Sequence, residues 1–280
     1  MSRSSLARRE TGVSCHLALL LMALLLGPRT AVPQTATARG IMERIYQQDD
    51  SRDTTLRATL QVFGQHGAIA RKRFVLYRMG SPGDSKTLLR FTDPPEIRGV
   101  ALLSVNRRGE NDRQWLYVPA IQRVRRVAPR ERSEPFAGSD FSYEDVAERV
   151  LDDFTYRFLS EVDTIDGHKT FKIEATPIAS DRSQYEFVYY WVAKDLPVIL
   201  HAEMYDQQGQ LLRRFHASQL KKVSGIWGAR RVEISSVREN TRTTLTIDAI
   251  HFNTGLDEEQ FTPQALERVV PPPPARAPHH

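Results

Sequence analysis

Residues 55–79, TLRATLQVFGQHGAIARKRFVLYRM, spell out a β-hairpin. Leu56, Ala58, Leu60 and Val62 point one way along the first arm; Thr55, Arg57, Thr59 and Gln61 point the other. Gly64-Gln65-His66-Gly67 supplies a turn, and residues 68–79 return as the second arm. The same rhythm continues through 86–92, through a pair at 99–105 and 113–118, and through 122–128. After a break it resumes at 154–162, 168–176, 185–192, 198–205, 211–222, 229–237 and 243–252. About twelve strands at short spacing predict a mainly β chain, one strongly curved antiparallel sheet or barrel. Residues 188–192 and 198–200 are apolar on both faces, so both faces of the sheet need cover.

Short helices are the expected cover. Ile41, Met42, Ile45 and Tyr46 share one face of a helix that Asp49, Asp50 and Ser51 end. Residues 142–150 read as a second helix, with Ser142 as N-cap and Asp145 three positions on. Asp93-Pro94-Pro95 interrupts the ladder, because proline has no N–H to donate.

The ends read differently from the middle. Arg3, Arg8 and Arg9 precede a leucine-rich stretch at 13–26, the pattern of an export signal, and Ala36-Thr37-Ala38 fits its cleavage site. The expected organisation is a signal over 1–38, one domain over 39–268, and a disordered proline-rich tail over 269–280. The single cysteine, Cys15, precedes most of the apolar stretch, so it is no lipidation site and leaves with the signal. A mature chain without cysteine has no disulfide and no thiolate ligand. The net charge of +5 falls to about +2 once the signal arginines go, which is not the balance of a nucleic-acid binder. The expected location is the periplasm, after cleavage near Ala36 or Ala38.

Candidate site residues concentrate between Gln114 and Asp145. Trp115 and Tyr117 share one strand face, and Tyr189 and Trp191 belong to a second aromatic strand; they line a cavity or fill an ordinary core. Arg123, Arg125 and Arg126 offer planar forks to a lipid head group or an acidic partner, or else guard an edge strand. Phe136, Phe141 and Tyr143 surround Gly138-Ser139-Asp140, as in a gate over a cavity or a loop tacked to the core. No G-x-S-x-G, H-E-x-x-H, P-loop or C-x-x-C is present. His66, His168, His201, His216 and His251 stand singly. The chain therefore reads as a non-enzyme, without metal or cofactor, that holds an amphipathic ligand.

Three runs carry a family resemblance: Pro95–Leu103 (P-x-x-x-G-x-x-x-L), Gln114–Arg126 (Q-W-L-Y-V-P-A-x-x-R-V-R-R) and Phe136–Asp145 (F-x-G-S-D-F-S-Y-E-D). In this order they resemble the exported outer-membrane lipoprotein-sorting-like proteins of the LolA/LolB type, in the subfamily that accompanies RND-type transporters. The resemblance implies an unclosed, curved antiparallel barrel with a helical lid over a hydrophobic cavity. It also implies a carrier or chaperone for the acyl chains of a lipid or lipoprotein, working towards an outer-membrane acceptor or a transporter. The alternative is a non-catalytic docking module of an RND-type transporter.

Overall fold

The computed structural model describes residues 37–268 except 111 and 162; the expected signal before residue 37 and the tail from 269 lie outside the described residues. Fourteen strands form one antiparallel sheet. The first half holds β1 (Asp53–Gly64), β2 (Gly67–Ser81), β3 (Asp84–Asp93), β4 (Ala101–Val105), β5 (Arg113–Val118) and β6 (Arg123–Arg126). The second holds β7 (Phe154–Ser160), β8 (Thr164–Ile165), β9 (His168–Pro177), β10 (Tyr185–Ala193), β11 (Ile199–Asp206), β12 (Leu211–Val223), β13 (Ile226–Ser236) and β14 (Thr241–Phe252). The order is β6-β5-β4-β3-β2-β1-β14-β13-β12-β11-β10-β9-β7, with β8 beside β9. The pairing of β1 with β14 joins the two halves, and the sheet ends on β6 and β7 without closing. Register shifts at Arg57/Ala58 and Val62/Phe63 on β1, and at Met204/Tyr205 on β11, place the irregularities that bend long strands. The curved, unclosed antiparallel sheet is as expected. It has more strands than the expected twelve or so; the two-residue β8 is too short to read from alternation.

The cover is less helical than expected. Among the described residues there is one α-helix, α1 (Ala38–Gln47), and the other helical pieces are 3-10 turns of three or four residues. No described helix is long and apolar enough to cross a membrane. The Thr37 hydroxyl caps α1 by accepting from the Gly40 N–H at 3.1 Å. Ile41 and Met42 are both buried, against Ile173, Tyr190, Val192, Ala202 and Met204 of β9–β11. The helix expected over 142–150 is absent, and a chain of turns replaces it. The cap itself forms: the Ser142 N–H donates to Asp145 Oδ2 at 2.8 Å, and the Asp145 N–H donates to Ser142 Oγ at 3.2 Å. No helix grows from it, because partners just before β10 hold the Glu144 carboxylate and partners on the sheet hold that of Asp145. Gln184 and Ser183 donate to Glu144; Tyr185 and Arg213 donate to Asp145.

Alternation along β2–β5 sorts the core into two faces. Phe74, Leu89, Leu102 and Leu116 lie on one, with Ala58 and Leu60 of β1. Val75, Tyr77, Leu88 and Leu103 lie on the other, under Phe261 and Leu266 of the C-terminal segment. Both faces of this half are covered, which accounts for its wealth of apolar residues.

Candidate functional site

Residues 127–153, between β6 and β7, run back across the first face as a strap. Phe136 anchors it, stacking on Phe91 at 5.8 Å and meeting Tyr143 edge-on at 5.4 Å. Polar side chains fasten the strap along its length. The Lys72 ammonium donates to the Ala137 carbonyl, and the Thr241 and Thr243 hydroxyls donate to the Asp140 carboxylate. Gln114 donates to the Tyr143 carbonyl at 2.9 Å. Gln184 donates to Ser142 Oγ at 2.8 Å, and Arg213 donates to Asp145 at 2.8 Å. Glu148 accepts from the Gly83 N–H, Ser85 and Asn106. The strap thus touches β2, β3, β5, β10, β12 and β14.

Between strap and sheet lies an apolar cavity of 170 Å³, walled chiefly by Leu60, Phe74, Leu89, Leu102, Phe136 and Phe141. Leu76, Val146 and Leu245 complete its greasy lining, while Thr87, Ser104 and Asp145 are its polar residues. A larger cleft of 930 Å³ opens between α1, the turn at Ser81-Pro82-Gly83, Leu151 and Leu256. Electrostatics stiffen the strap end of the cavity. Burial, then the neighbouring Asp145 charge, pushes the Tyr185 phenol well above its usual range. Burial opposes the Arg213 charge, but Tyr185 and Asp145 outweigh it and raise its pKa. Burial lowers the Lys72 ammonium.

The structure distributes the candidate residues over several places. Phe136 and Phe141 line the cavity, and Tyr143 packs behind Phe136. Trp115 and Tyr117 lie on the opposite face, in the cluster under the C-terminal segment. Tyr189 and Trp191 also lie away from the cavity. Tyr189 packs between Phe187 and Tyr205, and the Trp191 indole donates to Asp163 at 2.8 Å. Arg123, Arg125 and Arg126 are exposed on the edge strand β6. Arg123 and Arg125 stand opposite Val118 and Leu116 on the cavity face, Arg126 opposite Trp115 on the other. Arg125 pairs with Glu131 at 2.8 Å. Leu60, Phe74, Leu89, Leu102, Val146 and Leu245 were not singled out by the sequence. Alternation groups them by face, but only the strap's path decides which face is enclosed.

A family model described as "Uncharacterized protein" matches residues 83–268. An outer membrane lipoprotein-sorting protein domain, as described, from Vibrio parahaemolyticus superposes with a TM-score of 0.78 at 26% identity, over 82% of this chain and 98% of that one. A DUF1329 family protein from Desulfovibrio piger gives 0.78 at 26% identity, over 82% and 97%. The chain belongs to the family of that model, and it is similar to both of these solved proteins. A LolA superfamily protein from Nitrosomonas europaea shares the fold, with a TM-score of 0.65 at 18% identity over 81% of this chain and 97% of that one. No curated protein matches. In this chain the three resembling runs converge. Pro95–Leu103 enters β4, Gln114–Arg126 forms the β5–β6 edge, and Phe136–Asp145 is the strap over the cavity.

Proposed function

We propose that the chain is a periplasmic carrier or chaperone that takes the acyl chains of a lipid or lipoprotein under the strap, without catalysis. The observation that carries this reading is the apolar cavity beneath the strap in a LolA/LolB-like fold. Export with cleavage after Ala36 suits it, because Thr37 then remains to cap α1. Phe136 and Phe141 are the aromatic contacts of the cargo, with Tyr143 backing Phe136, and Arg123 and Arg125 are the head-group contacts on the same face.

Size sets the mechanism. An apolar cavity of about 150 Å³ holds one benzene, and drug-sized ligands use roughly 300–1,000 Å³. At 170 Å³ the cavity takes a few methylenes only. A longer chain must part the strap from the sheet or extend into the 930 Å³ cleft. A 16-carbon chain loses about 12 kcal/mol of burial in water, at about 0.8 per methylene, so the carrier must recover much of that and still release its cargo.

Native mass spectrometry of protein purified from the periplasm tests the reading. Wild type is expected to carry a lipid-sized adduct, and Val146→Trp or Leu245→Phe, which fill the cavity, to lose it with the melting temperature kept. Repeated absence of any adduct on wild type, or its survival in both filled variants, rejects the proposal. The exposed arginines of the edge strand β6 favour one second reading, a docking module of an RND-type transporter. In that case a pull-down from membranes recovers a transporter, and the filled variants recover it equally well.

A further inference from the structure

The two edges of the sheet are not alike. β6 has four residues, three of them exposed arginines. β7 has seven, Phe-Thr-Tyr-Arg-Phe-Leu-Ser, without lysine or proline. Its one charge, Arg157, is held by Glu174 at 2.7 Å. Aromatic residues suit a strand, and an edge of this length without a guard is a template for another chain.

The register shows which main-chain groups are open. The Ile178 N–H donates to the Asp153 carbonyl at 2.9 Å, in the same phase that sets Thr155 opposite Thr176 and Arg157 opposite Glu174. Antiparallel strands exchange hydrogen bonds at every second residue. Thr155 and Arg157 therefore turn their N–H and C=O to β9, and Phe154, Tyr156 and Phe158 turn theirs outward. Pro177, which has no N–H, stands opposite Phe154 and fits this phase. The Phe154 N–H is taken by the Leu151 carbonyl. Among the described residues, nothing pairs with the main chain of Tyr156 or Phe158 on the outward side. The Phe158 ring beside them is 37% exposed.

N–H and C=O groups that repeat every second residue match another extended main chain. The C-terminal sequence of the same chain is unsuited to it. Gln264–Glu267 lies against β4 and β6, and Pro271 to Pro274 have no N–H to donate. A second copy fits poorly. α1 packs over β7 through Ile45, Tyr46, Phe154 and Tyr156. Pairing β7 with β7 would set two helices, each about 10–12 Å across, over strands about 4.8 Å apart. A slim extended segment meets no such conflict. Just before β7, Asp152 and Asp153 are both exposed, and among the described residues only Asp152 is ion-paired, to Arg39. That end of the edge suits a cation.

We propose that β7 is a docking edge for an extended, proline-free polypeptide segment of a partner protein. The segment adds antiparallel along Phe154–Phe158. It places an apolar residue beside Phe158, a small one beside Tyr156, where α1 crowds the edge, and a basic one beside Asp153. The inference goes beyond the carrier reading and stands whether or not acyl chains bind under the strap.

Amide NMR on protein purified from the periplasm tests it, with acetyl-Thr-Val-Thr-Ala-Thr-Val-Lys-amide as the probe. In the proposed register the alanine N–H meets the Tyr156 carbonyl and the lysine lies beside Asp153. Saturable shifts over Thr155–Leu159 are expected, with a Kd of about 1 mM, because few hydrogen bonds form. A probe with proline in place of alanine, or glutamate in place of lysine, should bind about fivefold more weakly or worse. Phe158→Pro should weaken the original probe as much. The N–H it removes points away from β9, so the β9 amides should keep their places. Phe158→Ala keeps that N–H and should stay within about twofold of wild type. No saturation by about 10 mM probe, shifts centred elsewhere, equal binding of the proline probe, or equal loss in both Phe158 variants would overturn the proposal. So would a concentration-dependent dimer of the wild type that Phe158→Pro abolishes in sedimentation, which assigns the edge to a second copy.

Discussion

Asp145 accepts four hydrogen bonds while its side chain is 5% exposed: from the Ser142 N–H and hydroxyl, the Tyr185 phenol and the Arg213 guanidinium. Arg213 is nearly as buried, at 10%, and Tyr185 Oη also accepts from it. Removing one partner of such a pair strands the other charge in a dry site, at a cost of about 3–5 kcal/mol. Asp145→Ala should therefore lower stability by about that amount, seen as a shift in urea midpoint with the slope unchanged. Adding Arg213→Met should restore part of it, because the stranded cation is gone. If the double variant instead loses the sum of the two single losses, the pair is not coupled and the account of the strap latch fails.

At the scale of elements, one buried carboxylate ties the start of the C-terminal segment to β1. Asp53 opens β1 at 5% exposure and accepts from the Thr254 N–H and hydroxyl and the Gly255 N–H. Burial raises the Asp53 carboxyl, but these bonds outweigh it and hold it below the usual carboxylate value. The sign follows from linkage. A carboxyl lowered in the folded state stabilises above its unfolded pKa, near 4, and that stabilisation disappears as pH falls through the lower folded value. Wild type should exceed Asp53→Asn by about 2 kcal/mol at neutral pH, with the gap closing below about pH 4. A gap that stays constant down to pH 2.5 would show that the charge plays no part. Legibility divides along the same lines. The strands and α1 were readable because side-chain period is local. The missing helix at 142–150 was not, because Asp145 answers to Tyr185 and Arg213, far along the chain. For the same reason Trp115 and Tyr117 could be assigned to one face but not to the face the strap avoids, and Leu60 or Leu245 could not be recognised as cavity lining.

The whole molecule is an open sheet, so it has two edges to manage. An unpaired strand invites another chain, and short length and charge are two ways to blunt it. β6 has both: four residues, with Arg123, Arg125 and Arg126 exposed. On β7, Arg157 is held by Glu174 at 2.7 Å, so its charge is spoken for. Arg125 is likewise tied to Glu131, which also accepts from the Ala128 N–H and fixes the start of the strap. Arg123 and Arg126 are therefore the pair to change without disturbing the strap. An edge guard and a contact for anionic head groups predict opposite results for Arg123→Thr/Arg126→Thr. Threonine favours strands, so loss of a guard would promote dimers, seen by sedimentation. Loss of a head-group contact costs about 1 kcal/mol per cation at an anionic surface, and of this pair only Arg123 stands on the cavity face, so binding to phosphatidylglycerol vesicles should weaken about fivefold at low salt. Four residues are too few to template much pairing, so weaker vesicle binding with unchanged sedimentation is the expected result. Dimers with undiminished vesicle binding would instead assign these arginines to guarding the edge.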